Sequence, residues 1–121
     1  MARGWAKLSN VDTVQYLDDQ GKPLREIPLS NEELLKGYRA LRRARYFDER
    51  AVLLQRQGRL GVYPPFRGQE AAQVGVALCL KADHDWLLPS YRESAAALTF
   101  GMPIHKLILS CLLYTSDAAD E

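Results

Sequence analysis

The chain has 121 residues, 47% of them hydrophobic and 26% charged, with Lys+Arg 16 against Asp+Glu 15 for a net charge of +1. That length suits one modest core and is short for an enzyme that must also enclose a cofactor. The balanced charge excludes bulk attraction to nucleic acid or anionic membrane, and no run approaches the ~20 apolar residues of a membrane span. Met1 to Asn10 lacks the apolar stretch of a secretory signal, and Asp12, Asp18 and Asp19 argue against a transit peptide, so a cytoplasmic location is expected by default. Cys79 and Cys111 share no CxxC or His/Cys spacing, and neither a disulfide nor a cysteine metal site is expected.

In chain order, Val14 to Leu17 reads as a short strand entering the turn Asp18-Asp19-Gln20-Gly21-Lys22-Pro23, with Leu24 to Leu29 as its return, which makes residues 1–29 an N-terminal β arm. Ser30 and Glu33 have capping-box spacing. Leu34, Tyr38, Leu41, Arg45, Asp48 and Val52 then recur at three- and four-residue steps, which predicts an amphipathic helix from about Asn31 to Gln57. Its Arg39, Arg42, Arg43, Arg45 and Arg50 could form a nucleic-acid face, but Asp48 and Glu49 interrupt them. Arg45 with Glu49 has the spacing of a helical ion pair, and a solvated or subunit-facing surface is the better reading.

Gly58 to Gly68 holds three glycines, Pro64-Pro65, Tyr63 and Phe66, which predicts a stiff connection. Gln69 to Leu80, with Ala71, Ala72, Gly75 and Ala77, reads as a buried helix of small residues. Glu70 in its first turn is read as a dipole-complementing cap rather than a catalytic base. His84, between Asp83 and Asp85, is read as a turn residue rather than a metal ligand. Trp86 to Leu88 reads as a short strand. The capping box Ser90-Tyr91-Arg92-Glu93 then opens a helix through Ala95, Ala96 and Ala97 to Phe100, stopped by Gly101 and followed by a helix begun at Pro103. Amides at that helix start, the Arg92 guanidinium and the Tyr91 phenol would together suit an anion such as phosphate. The fragment is therefore expected to be mainly α, with the N-terminal β arm and a short strand near residues 86–88.

The order of parts is Phe47-Asp48-Glu49-Arg50, Gln57-Gly58-Arg59-Leu60-Gly61, Arg67-Gly68-Gln69-Glu70-Ala71-Ala72, Pro89-Ser90-Tyr91-Arg92-Glu93 and Gly101-Met102-Pro103. From about Val14 to Ser110 it resembles the alpha subunit of thiamine-diphosphate-dependent 2-oxo acid dehydrogenases, a combination more specific than any of its pieces. The resemblance implies a parent α/β thiamine-diphosphate-binding fold, of which residues 30–110 are a truncated N-terminal part. It implies that Tyr91 and Arg92 contact the cofactor diphosphate, and that the segment at Val62 and Tyr63 borders the substrate. The family often has an aromatic near the position of Val62, which leaves open which of the two lines the pocket.

The implied activity is oxidative decarboxylation of a 2-oxo acid with transfer of the acyl group to a lipoyl arm, pyruvate being slightly favoured over 3-methyl-2-oxobutanoate. The implied partners are a beta subunit in a heterotetramer, which carries the proton-transfer glutamate, and a lipoyl acyltransferase. The resemblance implies that magnesium is held by a later Gly-Asp-Gly segment and asparagine that this chain lacks, so no catalytic residue and no metal ligand is assigned here, and the 121-residue product is expected to be inactive. A small helical binding module using the Arg-rich helix is the alternative.

The resemblance stops at Cys111. Residues Cys111 to Ser116 match the codons TGT, CTC, TTA, TAC, ACA and TCT of the mosaic end used in transposase-based sequencing libraries, and Asp117 to Glu121 match the adapter's continuation. Residues 111–121 are therefore expected to be translated adapter joined to a gene fragment.

Overall fold

A computed structural model describes residues 14–112. Two units separate at Ser30 and Asn31. The expectations that fall on residues 1–13 and 113–121 lie outside the described residues.

In the first unit the turn forms and the strands do not. Asp18 Oδ1 accepts the amides of Gln20 (2.9 Å) and Lys22 (2.8 Å), and Gly21, at φ 78°, closes the reversal onto Asp18 O. A single antiparallel bridge links Leu17 and Pro23, with Leu24 N donating to Tyr16 O. Val14, Tyr16, Leu17, Leu24 and Leu29 are all exposed, so the arm buries too little apolar surface to extend that bridge into a ladder. The Arg25 guanidinium lies 5.5 Å from the centroid of the Tyr16 ring.

The second unit contains four helices among the described residues: α1 (Asn31–Arg56), α2 (Glu70–Cys79), α3 (Ser94–Phe100) and α4 (Ile104–Cys111). Helix α1 starts with Glu32 and Glu33 at its positive end. It stops at Gly58 (φ 70°), whose amide reaches Gln55 O while that of Arg59 reaches Leu54 O, the paired bonds of a left-handed helix stop. The helical period is as expected, but the buried stripe is Ala44, Phe47, Asp48 and Ala51, whereas Leu34 and Tyr38 stay exposed. With Leu60, Tyr63, Phe66, Val74, Ala95, Leu98, Leu107 and Cys111, that stripe makes one core.

Helix α2 is buried only along Glu70, Gln73, Val74 and Ala77, and the small residues Ala71, Ala72 and Gly75 face outward. Small side chains permit close approach without requiring it, so the helix expected to be buried is buried on one side and, of its four small residues, only Ala77 faces the core. The predicted strand at Trp86 to Leu88 does not form, and no β-strand occurs among the described residues. Trp86 and Leu88 are 88% and 90% exposed with Leu87 half-buried, an alternation suited to a sheet, but a strand needs a ladder partner. Among the described residues, no helix is long and apolar enough to cross a membrane.

Candidate functional site

Two charged residues one turn apart on α1 organise the connection between α1 and α2. Asp48 is buried, and its Oδ1 accepts the Tyr63 phenol at 2.7 Å and the Phe66 amide at 2.9 Å. Burial and this carboxylate hold the Tyr63 phenol well above its ordinary pKa, so it stays a neutral donor. The Phe47 ring meets the Tyr63 ring edge-on at 6.0 Å. Arg45 crosses to Glu70 with Nε 2.5 Å from Oε1, and Glu70 Oε2 accepts the Gly68 amide at 2.8 Å.

The expected helical pair of Arg45 with Glu49 is thus replaced by a pair between helices. A carboxylate buried at the start of α2 would otherwise lack a counter-charge, whereas Glu49 is solvated. Hydrogen bonding to Arg45 is the main cause that lowers the Glu70 pKa, and the same bond raises that of Arg45. Both Glu70 oxygens are engaged within the chain: one accepts an amide at the start of α2, as the cap reading expects, and the other pairs with Arg45, which does not fit a free catalytic base.

The capping box at residues 90–93 forms by half. Glu93 Oε2 accepts the Ser90 amide at 2.7 Å, but Tyr91 and Arg92 lie in a turn and α3 begins only at Ser94, with Glu93 as its N-cap. The expected helix start at Ser90 is corrected accordingly. The Ala95 amide is taken by Gln73 Oε1 at 3.0 Å, and Gln73 Nε2 also reaches Arg92 O at 3.3 Å. A side chain of α2 thus occupies one of the first-turn amides of α3.

The side-chain pair of Tyr91 and Arg92 remains available to an anion. Arg92 Nη1 donates to Pro65 O at 2.7 Å, and its guanidinium carbon lies 5.3 Å from the centroid of the Tyr91 ring, a cation–π distance. Tyr91 is 74% exposed. Tyr91 lines a cleft of about 230 Å³ with Ser90, Glu93, Lys106 and Ser110, among others, and Arg92 lies outside that lining. A guanidinium has five N–H donors, so the bond to Pro65 leaves the rest of the fork available to an anion. These donors fit a diphosphate, whereas among the described residues no three His, Cys, Asp or Glu side chains are grouped to hold a metal.

Val62 and Tyr63 part company. Val62 is 59% exposed, while Tyr63 is 3% exposed with its hydroxyl committed to Asp48, so only Val62 presents its side chain outward. Gly61 N and Val62 N both donate to Cys111 O, at 3.1 and 3.2 Å, which ties this segment to the end of α4. His84 lies in the turn after α2, where Lys81 N donates to Asp85 Oδ2. Cys79 and Cys111 are free thiols, the first exposed and the second buried.

Sequence reasoning did not anticipate the linking roles of Asp48, Glu70 and Gln73. A polar residue on the apolar stripe of α1 was the available signal for Asp48. For Gln73 the local contact with Gln69 Oε1 at 3.4 Å gave no sign of the link to the α3 segment, whose partners Arg92 O and Ala95 N lie 19 and 22 residues away.

Comparison with known proteins gives a consistent answer. Residues 38–119 match the family described as Dehydrogenase E1 component. A 3-methyl-2-oxobutanoate dehydrogenase subunit alpha of Mycobacterium tuberculosis is 43% identical over 98 residues, which cover 78% of this chain and 26% of that protein. A pyruvate dehydrogenase E1 component subunit alpha of Bacillus cereus is 36% identical over 101 residues, covering 81% and 27% respectively. A 2-oxoisovalerate dehydrogenase subunit alpha of Bacillus subtilis is 39% identical over 89 residues, covering 74% and 27%. The chain thus spans about a quarter of the length of these relatives. With most of its helical unit inside the matched region, the chain belongs to the dehydrogenase E1 component family.

Proposed function

We propose that this chain is the N-terminal part of the alpha subunit of a thiamine-diphosphate-dependent 2-oxo acid dehydrogenase, and that it supplies one side of the cofactor's diphosphate site. The observation that carries this reading is the placement of Arg92 and Tyr91 as adjacent donors within the matched region. When bound, thiamine diphosphate supplies the electron sink for decarboxylation of a 2-oxo acid. Arg92 would hold a phosphoryl oxygen with the part of its fork not given to Pro65, and Tyr91 would donate its phenol beside it. Val62 would border the substrate and Tyr63 would fix the loop that carries it.

No residue of this chain acts as general acid or base in this reading, since the Tyr63 proton is held by Asp48 and the Glu70 carboxylate by Arg45. A beta subunit supplies proton transfer, and magnesium is held by residues beyond this chain. The assembly is a cytoplasmic heterotetramer that passes its acyl group to a lipoyl acyltransferase. Pyruvate is the proposed substrate. The branched-chain 3-methyl-2-oxobutanoate is the second reading, because a relative at 43% identity carries that name.

The test is the downstream gene. Resequencing the locus without transposase-based chemistry should replace the codons of residues 111–121 by an open frame with a Gly-Asp-Gly segment, and finding the Cys111 to Glu121 codons in the genome would overturn the adapter reading. The family match reaches residue 119 and so includes most of this tail, which makes the resequencing decisive. The extended subunit with its beta partner should decarboxylate pyruvate faster than 3-methyl-2-oxobutanoate, and the reverse order would reassign the substrate. Arg92→Ala in that assembly should weaken cofactor binding, and an unchanged affinity would return Arg92 to a surface charge.

A further inference from the structure

We propose that Asp48 is a positioning residue for the diphosphate contact, acting on Arg92 through the main chain of the Tyr63–Phe66 loop. This rests on the reading of Arg92 as a diphosphate donor. Asp48 Oδ1 holds the Tyr63 phenol and the Phe66 amide, which bracket Pro64 and Pro65 on both sides. Prolines already restrict φ, so fixing the residues on either side sets the orientation of the Pro65 carbonyl. That carbonyl is the acceptor of Arg92 Nη1. The loop is anchored a second time by Arg45 through Glu70 to the Gly68 amide.

Arg92 is thereby held from two directions. Gln73 Nε2 holds its main-chain carbonyl, and the loop fixed by Asp48 holds its guanidinium. A side chain tethered at one Nη keeps its fork aimed and loses less rotamer freedom when an anion binds. Asp48 itself is buried and bonds the loop, which is the route by which it reaches Arg92. Its substitution should therefore change anion affinity only while Arg92 is present.

The experiment uses the 121-residue chain with inorganic pyrophosphate as probe, titrated at fixed ionic strength and followed by NMR. The Arg92 side-chain N–H resonance is assigned by its loss in Arg92→Ala. In Asp48→Ala, which removes the shared acceptor of the Tyr63 hydroxyl and the Phe66 amide, that resonance should move to the averaged position of a free arginine, and pyrophosphate affinity should fall about tenfold, the loss expected when the competent orientation is populated about a tenth of the time. In the Arg92→Ala background, Asp48→Ala should change the affinity no further, which a merely structural role of Asp48 would not produce. An Arg92 resonance and affinity unmoved by Asp48→Ala, while Arg92→Ala lowers affinity, would overturn the proposal and leave the diphosphate reading standing. An affinity unmoved by Arg92→Ala would overturn the diphosphate reading itself, and the positioning role with it. If Asp48→Ala loses its dispersed amide spectrum, Tyr63→Phe carries the test with the same signs and smaller amplitude, because it leaves the Phe66 bond in place.

Discussion

Replacing Asp48 by alanine should be among the most damaging single changes in this chain. Asp48 Oδ1 is the acceptor of the Tyr63 hydroxyl and of the Phe66 amide, and both bonds are buried. With the carboxylate gone, each donor is left without a partner at a cost of about 1–3 kcal/mol, so the pair contributes roughly 2–6 kcal/mol. Removing a buried charge also relieves its own desolvation, which pulls the net loss toward the lower half of that range, about 2–4 kcal/mol. Against a total stability on the order of 5–15 kcal/mol this is a large share. Tyr63→Phe deletes one donor together with its bond and strands nothing, so it should cost only about 1 kcal/mol, within the usual net range for a hydrogen bond.

The assay is urea unfolding of the chain by far-ultraviolet circular dichroism for wild type, both single variants and the double variant. In the double variant the Tyr63 hydroxyl is no longer stranded, so adding Tyr63→Phe to Asp48→Ala should cost less than Tyr63→Phe costs alone, or even recover stability. An Asp48→Ala loss below ~0.5 kcal/mol, the range of ordinary surface substitutions, would refute the network. Strict additivity of the two variants would refute its coupling.

Three further outcomes follow from the same contacts. Hydrogen bonding to Arg45 holds the Glu70 pKa below its ordinary value, so the stabilisation is complete above the unfolded carboxyl value of about 4.3 and is lost as pH falls through the lower folded value. Thermal unfolding against pH should show a shallower acid fall for Glu70→Gln, and identical acid slopes would contradict it. Gln73→Leu strands the Ala95 amide and should cost about 1–3 kcal/mol, which scanning calorimetry would read as a melting point lowered by several degrees; an unchanged melting point would mean that the amide finds another acceptor. Under native conditions a thiol-alkylating reagent should label exposed Cys79 well before buried Cys111, whose pKa burial also raises, and mass spectrometry showing equal rates would place Cys111 outside the core.

The elements that sequence periodicity located well are those whose signal is local. Helix α1 ends within one residue of its predicted limit because Gly58 supplies the stop in the sequence itself, and Gly101 ends α3 in the same way. Where a partner decides, local signals failed. The strand at Trp86 to Leu88 needs a ladder that no other described segment provides, and the outward face of α2 was set by what Glu70 and Gln73 bond to rather than by its small residues. Arg45 had an eligible partner four residues on and took one 25 residues away, because the buried carboxylate at Glu70 needed a counter-charge more than the solvated one at Glu49 did.

The candidate site moved for the same reason. Ser90 to Glu93 has the sequence of a helix start, which would have placed amides and a dipole behind Tyr91 and Arg92. In the structure that helix begins later, and Gln73 takes the Ala95 amide. In the proposed reading, recognition of an anion then falls to Tyr91 and Arg92, and Arg92 bonds a carbonyl of a loop that α1 fixes. A dipole-based site would tolerate changes in α1 and depend on α3. A site built on Arg92 and the Pro65 carbonyl inverts that dependence, so substitutions at the buried Asp48 should weaken anion binding more than substitutions within α3 that preserve its packing.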